Sequence, residues 1–194
     1  EASEDNDTIT YWLRDTTLVN QDTLRFELQY MMTDTTGLLV SKTDTIEALP
    51  KESYEKRMKQ RAKEIEEWQK KQEKAKKKGQ EYDSIMPTPH LEIGFKTSSS
   101  LDPDKNFLME MPVPLAKCDT SGVNLYYKID TLWYRAEFEM AKVEGKLREY
   151  EVKAEWIPDV EYSLEFDSAI FESIYGLVNV PEKKGIKVRS LDEY

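Results

Sequence analysis

Apolar and polar residues alternate over much of the chain, which is the pattern of half-buried β-strands. The alternation is most regular over residues 22–32, and residues 9–13 show the same period one strand earlier. Residues 34–37 have turn composition and end in Gly, and a third alternating run follows over residues 38–46. Because a sheet of this size is barely stable alone, we expect this meander of three strands to pack on another sheet.

The pattern changes to that of a long, charged helix over residues 51–78. Glu, Lys, Gln, Arg and Ala dominate this segment, and all are good helix formers. Pro50 suits a first helical position, and Gly79 suits a helix end. Few apolar residues share one side, namely Tyr54, Met58, Ile65 and Trp68. The segment predicts a helix that is docked by its first turns and solvated beyond them.

Short alternating segments resume after residues 87–89, a Pro-Thr-Pro sequence, and continue to the end of the chain. Only residues 169–175 resemble a short helical turn. Many short strands separated by turns predict a sandwich or barrel. The predicted strands are 91–95, 107–111, 123–129, 134–140, 148–156, 162–166 and 186–188.

Charge is distributed unevenly along the chain and narrows the function classes. The net charge is −10, but residues 51–78 hold 12 Lys or Arg against 6 Glu, so the remainder carries −16. An acidic body repels phosphate backbones and anionic lipid headgroups, which argues against general nucleic-acid or membrane-surface binding. No apolar run approaches the roughly 18–20 residues of a membrane helix.

The residue types needed for catalysis are scarce. The single histidine, His90, lies between a proline and a leucine in a connector, and we interpret it as a surface residue. The single cysteine, Cys118, precedes Asp119, whose charge would raise a thiol pKa and oppose nucleophilic activation. We therefore predict no catalytic residues, and a hydrolase is the least favoured interpretation.

A metal site is also not expected. Cys and His together number two, too few for a typical zinc site. Asp102, Asp104 and Asn106 have the spacing of the first oxygen ligands of a calcium loop. However, Phe107 and Val113 stand where such a loop needs Gly and Glu. No phosphate-binding glycine motif occurs, so we predict neither metal nor cofactor.

Two tryptophans are the candidate ligand-binding residues. Trp12 and Trp133 fall on the more polar faces of their predicted strands, and Arg135 shares a face with Trp133. Exposed aromatic rings on a sheet can stack on sugars or anchor a partner protein. The alternative is that the second sheet or the helix covers them. The basic helix likewise is either a partner-binding rod or a solvated spacer.

The second half of the chain resembles the SbsA-type bacterial Ig-like domain. The resemblance rests on NFLMEMPVPL at 106–115, WIPDVEYSLEF at 156–166, residues 167–176 with Asn179, and residues 186–190. Residues 9–15, 22–30 and 33–37 resemble a segment found beside such domains in Bacteroidota envelope lipoproteins. The resemblance implies an exported protein without enzymatic activity, in the periplasm or at the cell surface. It also implies attachment to the outer membrane in the full-length protein.

Together these observations predict a mostly β protein: an Ig-like antiparallel β-sandwich with a long charged α-helical insertion. We assign residues 1–49 to a β-meander unit packing on the sandwich, 50–86 to the helical insertion and 87–194 to the sandwich. The predicted function is a non-catalytic structural or protein-interaction module of the cell envelope, with other envelope proteins or glycans as partners. The alternative is a carbohydrate-binding module that uses exposed strand aromatics, namely Trp12, Trp133 or neighbouring tyrosines. The sequence indicates no oligomeric state.

Overall fold

The computed structural model describes Ala2 and residues 8–192 and forms two compact units. One unit is Asp15–Pro87. The other contains the described parts of residues 1–14 and 88–194. The chain is mostly β, with 41% of residues in strands and 17% helical. This division places the predicted strands at residues 22–32 and 38–46 in the same unit as the helix. The predicted packing of residues 1–49 on the sandwich stays a prediction.

The described residues contain thirteen strands, one α-helix and two 3-10 helices, at Thr16–Asn20 and Thr120–Gly122. In chain order they are β1 (Leu24–Thr33), β2 (Leu39–Ala48), α1 (Tyr54–Lys77), β3 (Gly94–Phe95), β4 (Ser100–Leu101), β5 (Phe107–Glu110), β6 (Leu115–Cys118), β7 (Val123–Ile129), β8 (Leu132–Arg135), β9 (Phe138–Lys142), β10 (Glu149–Ala154), β11 (Glu161–Phe166), β12 (Phe171–Ser173) and β13 (Glu182–Val188).

Strands β1 and β2 form a long antiparallel hairpin in the first unit, with Leu24 opposite Ala48 and Thr33 opposite Leu39. The predicted turn is confirmed. The Asp34 carboxylate accepts hydrogen bonds from the backbone amides of Thr36 (2.8 Å) and Leu38 (3.0 Å). Gly37 has a φ of +85°, a left-handed conformation that glycine adopts without strain.

The predicted first strand of this meander, at residues 9–13, is wrong. Residues 8–14 contain no strand, and Ile9 makes only an isolated bridge with Ala2. The alternation of residues 9–13 has the period of two that a strand requires. A strand also needs a neighbour for its backbone groups along its length, which local sequence does not provide.

Helix α1 confirms the predicted helix, but it begins at Tyr54, so the prediction that Pro50 takes the first helical position is wrong. The Ser53 hydroxyl accepts a hydrogen bond from the amide of Lys56 at the N-terminus, and Gly79, with a φ of +68°, follows the helix end. Ion pairs one turn apart join Lys56 to Glu52 (2.8 Å), and Lys70 to Glu66. No residue of α1 is buried. None of the described helices is long and apolar enough to cross a membrane.

The second unit contains two principal sheets. The four-stranded sheet has the order β3-β5-β10-β9, and the five-stranded sheet has the order β4-β13-β11-β7-β8. All pairs in both sheets are antiparallel except β4 with β13, which is parallel. Strand neighbours in each sheet are mostly distant in the chain, so long-range pairing defines this fold.

Both sheets contribute to one hydrophobic core, as in a β-sandwich. The four-stranded sheet contributes alternate residues of β5 and β10 to this core. The five-stranded sheet contributes alternate residues of β7, β11 and β13. The least exposed core residues include Phe107, Met109, Val152, Leu125, Leu164, Phe166 and Val188. The buried core of the described residues lies between Leu91 and Val188.

The sequence predicted one strand over residues 134–140, and the structure divides it between the two sheets. Strand β8 is the edge of the five-stranded sheet, whereas β9 is the edge of the four-stranded sheet. Ala136 still donates a backbone hydrogen bond to the carbonyl of Leu125 (2.8 Å) before the chain crosses over. Ala136 and the apolar residues of β9 pack on the core, and Tyr134 of β8 contacts Tyr127. The same alternation therefore runs through the crossing, and the sequence pattern does not reveal the break.

The predicted helical turn at residues 169–175 is also wrong. Strand β12 lies in this segment and pairs with β6 in a small two-stranded sheet, with Phe171 opposite Cys118. Phe171 is fully buried, so tertiary packing outweighs the local preference of this segment.

A tyrosine links the end of the four-stranded sheet to the start of β11. The Tyr162 hydroxyl donates a hydrogen bond to the carbonyl of Glu155 and accepts one from the amide of Ile157, both at 2.9 Å. Trp156 packs edge-on against the Tyr162 ring. These bonds fix the connection by which the chain passes from β10 in one sheet to β11 in the other.

Candidate interaction surface

The outward-pointing residues of the five-stranded sheet form the most distinctive surface of the second unit. We define the outer face as the residues of this sheet whose neighbours along each strand point into the core. Leu125, Leu164 and Ile186 are buried on three adjacent strands, so the residues next to them point outward. The outer face comprises Trp133, Arg135, Asn124, Tyr126, Lys128, Glu161, Ser163, Glu165, Lys183, Gly185 and Lys187.

One row of the outer face crosses four strands and ends in a tryptophan. Trp133 lies opposite Lys128, whose Nζ is 5.8 Å from the centre of the indole ring. The same ammonium group makes an ion pair with Glu161 (3.2 Å) on the next strand. The lysine is thus held between a ring and a carboxylate, which stabilises the position of the 49% exposed Trp133.

The neighbouring row combines large side chains with small ones. Arg135 lies opposite Tyr126, and Tyr126 lies opposite Ser163. Ser163 lies opposite Gly185, where an added side-chain carbon would meet nothing within 4 Å. The centre of the outer face therefore carries little side-chain bulk, and Tyr126, Trp133 and Arg135 stand along one side of it.

A polar groove of about 270 Å³ borders this face. Its two aspartates, Asp130 and Asp159, lie at tight turns and have left-handed φ values of 54° and 62°. The groove combines three carboxylates with two ammonium groups, a lining that can accept and donate hydrogen bonds to a polar ligand. Its lining residues are Lys128, Asp130, Asp159, Glu161 and Lys187.

Strand β8 is open to a partner on more than its outer face. It is the last strand in the order of the five-stranded sheet, so its far edge has no paired strand among the described residues. Leu132 is 61% exposed and Tyr134 44% exposed, although both point toward the inner side. Tyr134 contacts Tyr127 with ring centroids 5.7 Å apart. An exposed apolar edge strand is a typical docking element for another chain.

The other predicted ligand-binding residue, Trp12, lies in a different environment. The Arg148 guanidinium covers its ring at 5.4 Å, and the side chain is half-buried. Its indole Nε1 is buried and has no hydrogen-bond partner within the described part of the chain. Arg148 also pairs with Glu110 (2.7 Å) of the four-stranded sheet, whereas Trp133 lies on β8 of the five-stranded sheet.

The other chemically reactive candidates lie apart from the outer face. Partial desolvation of the sulfur, reinforced by the charge of Asp119, raises the pKa of the Cys118 thiol. His90 is exposed. Asp102 makes ion pairs with Arg189 (3.0 Å) and Lys105 (3.3 Å). Over the described residues, no three His, Cys, Asp or Glu side chains are grouped as metal ligands would be.

The sequence placed Trp133 and Arg135 together on the polar face of one strand, and the register agrees. It did not indicate Tyr126 or the groove, because both depend on which strands become neighbours.

Comparison with known proteins gave no match: no family model, no curated protein and no solved structure matches this chain.

Proposed function

We propose that the second unit is an Ig-like sandwich of the type that the sequence resembles. The strand orders support this proposal. Order β3-β5-β10-β9 corresponds to strands A, B, E and D of an Ig sheet, and β7, β11 and β13 correspond to C, F and G of the other. Tyr162, at the start of β11, bonds back to the preceding backbone as the tyrosine corner of such domains does.

The proposed function of this domain is protein interaction, without catalysis, in an extracytoplasmic protein of the cell envelope. The observation that carries it is the grouping of Trp133, Tyr126 and Arg135 on one side of the outer face. Trp, Tyr and Arg are the residue types that contribute most to binding energy at protein interfaces. Small residues beside them, Ser163 and Gly185, allow close approach of a partner surface.

Carbohydrate binding is the second candidate function. The supporting observation is that the polar groove shares Lys128 with the ring of Trp133. An aromatic platform next to carboxylates and ammonium groups is suited to stacking on a sugar and bonding its hydroxyls. Because Arg148 covers Trp12, this candidate rests on Trp133 alone.

Site-specific photo-crosslinking in the native host tests the interaction function. A photoreactive phenylalanine analogue replaces Trp133 or Tyr126 in the full-length protein, and Glu139 on the edge strand of the other sheet serves as the control. We expect a discrete protein adduct from positions 133 and 126 and none from 139. Equal adducts from all three positions, or none, would contradict the proposal.

Two further measurements separate the candidates and test the location. Quenching of tryptophan fluorescence by envelope polysaccharide fragments that is lost in Trp133→Ala, without a protein adduct, would favour carbohydrate binding. Fractionation of the host cells should recover the full-length protein with the envelope, and recovery in the cytosol would contradict the extracytoplasmic assignment.

A further inference from the structure

A basic groove lies at the C-terminal end of α1 in the first unit, separate from the outer face. It has a volume of about 460 Å³. Four lysines line it, with Glu67 at its N-terminal end and Gln80 just beyond the helix. These lysines are Lys70, Lys71, Lys74 and Lys78. The groove therefore brings together four of the lysines that give residues 51–78 their positive charge.

The chain after α1 folds back along the helix, and Gln80 of this segment lines the end of the basic groove. The Gln80 amide donates a hydrogen bond to the carbonyl of Ala75 (3.0 Å), and the Asp83 amide donates one to the side chain of Gln72 (2.9 Å). Lys76 lies over the ring of Tyr82 at 5.4 Å, outside the groove lining. The two hydrogen bonds hold Gln80, at the end of the groove, against the last turns of the helix.

Most of the groove's ammonium groups are uncompensated. Lys70 is paired with Glu66, but Lys71, Lys74 and Lys78 make no ion pair within Ala2 and residues 8–192. Like charges this close on one helix repel each other. The helix dipole places partial negative charge at this end, but four ammonium groups outweigh it. An anionic ligand would relieve the repulsion that remains.

The lysines form a row along one side of the helix that a short extended acidic chain can follow. At 1.5 Å per residue, Lys71 and Lys74 are about 4.5 Å apart along the axis, and Lys74 and Lys78 about 6 Å. Alternate side chains of an extended peptide repeat about every 6.7 Å on one face. The differences from the lysine spacing are about 0.7–2.2 Å, which the flexible four-carbon stems of the lysines can bridge. We propose that the basic groove binds an extended acidic segment of a partner protein.

Other anionic surfaces fit the basic groove less well. A helix that lies on a membrane needs large apolar residues beside its lysines, and Ala75 is the one apolar lining residue. Nucleic acid would meet a chain whose remaining residues carry −16. Glu67 ends the lysine row, so a short acidic segment fits better than a continuous polyanion.

The test uses the full chain and a labelled eight-residue peptide of alternating Glu and Ser, with a Gln-and-Ser peptide as the uncharged reference. Fluorescence anisotropy at low salt measures binding. Wild-type protein should bind the Glu peptide and not the Gln peptide. The variant K71E/K74E should bind about tenfold more weakly, because two attractive pairs become repulsive. The control K59E/K77E has the same net charge change outside the groove and should lose less than about twofold.

Several results would overturn the proposal. Equal weakening in both variants would mean that the peptide senses only net charge. Tighter binding to phosphatidylglycerol vesicles or to oligothymidine than to the peptide, abolished in K71E/K74E, would assign the groove to a lipid or nucleic-acid surface. Concentration-dependent self-association that disappears in K71E/K74E would assign it to a second copy of the chain. Circular dichroism must show equal helix content in all variants, and K71Q/K74Q replaces K71E/K74E if the helix unfolds.

Discussion

The indole ring of Trp156 packs edge-on against the ring of Tyr162, with ring centroids 4.9 Å apart and an angle of 73° between the planes. Trp156 is 5% exposed and Tyr162 2% exposed. The pair lies where the chain passes from the four-stranded to the five-stranded sheet. An edge-on arrangement of buried rings is favourable beyond the area it buries, so this contact should stabilise the crossing.

Trp156→Ala should lower the free energy of unfolding by about 3–5 kcal/mol, because it removes a large buried ring and leaves a cavity. Denaturant unfolding measures this change. Trp133→Ala is the matched control and should change stability by less than about 0.5 kcal/mol, since Trp133 is exposed. Unfolding of the Trp156 variant at the wild-type midpoint would contradict the core position of this residue.

Tyr162→Phe should cost about 1–3 kcal/mol while keeping the ring contact with Trp156. The substitution removes the hydroxyl that bonds the carbonyl of Glu155 and the amide of Ile157, leaving two backbone groups without this partner. Unfolding in urea measures the loss. An unchanged free energy of unfolding would mean that water satisfies the two backbone groups as well as the hydroxyl does.

Stability should fall at alkaline pH through buried tyrosines. Desolvation raises the pKa of Tyr150 from 10 to about 12, and the same cause raises the pKa of Tyr162. A raised folded-state pKa gives stability that is complete below pH 10 and is lost as pH rises toward 12. Denaturant midpoints measured from pH 8 to 12 should show this decline. Tyr150→Phe should reduce it by on the order of 2 kcal/mol, and the exposed control Tyr175→Phe should not.

The helix should be dispensable for folding of the sandwich, because α1 has no buried residue and the core of the described chain begins at Leu91. Replacing residues 52–80 with a short Gly/Ser linker should change the free-energy cost of closing this loop by about 1 kcal/mol. Circular dichroism should retain the sheet signal, with a modest fall in Tm. Loss of the folded state would show that the helix belongs to the core.

A chelator should leave Tm unchanged. Two of the three candidate calcium ligands already have protein partners, since Asp102 pairs with Arg189 and Asn106 donates to Glu151 (2.8 Å). Thermal unfolding with and without EDTA tests this. A drop of several degrees that calcium restores would assign a site to Asp102, Asp104 and Asn106.

The sequence alone determined the elements whose stability is local. The helix could be predicted nearly to its ends because propensities, caps and one-turn ion pairs act within a few residues. The turn at Asp34 was equally readable, since its own carboxylate and Gly37 make it. The tertiary structure alone decided the strand order, the crossing between β8 and β9, and the strand at Phe171. It also decided that Arg148 covers Trp12 while Trp133 stays exposed. These outcomes depend on backbone and side-chain partners far along the chain, and alternation specifies a face for each residue without specifying what will meet it.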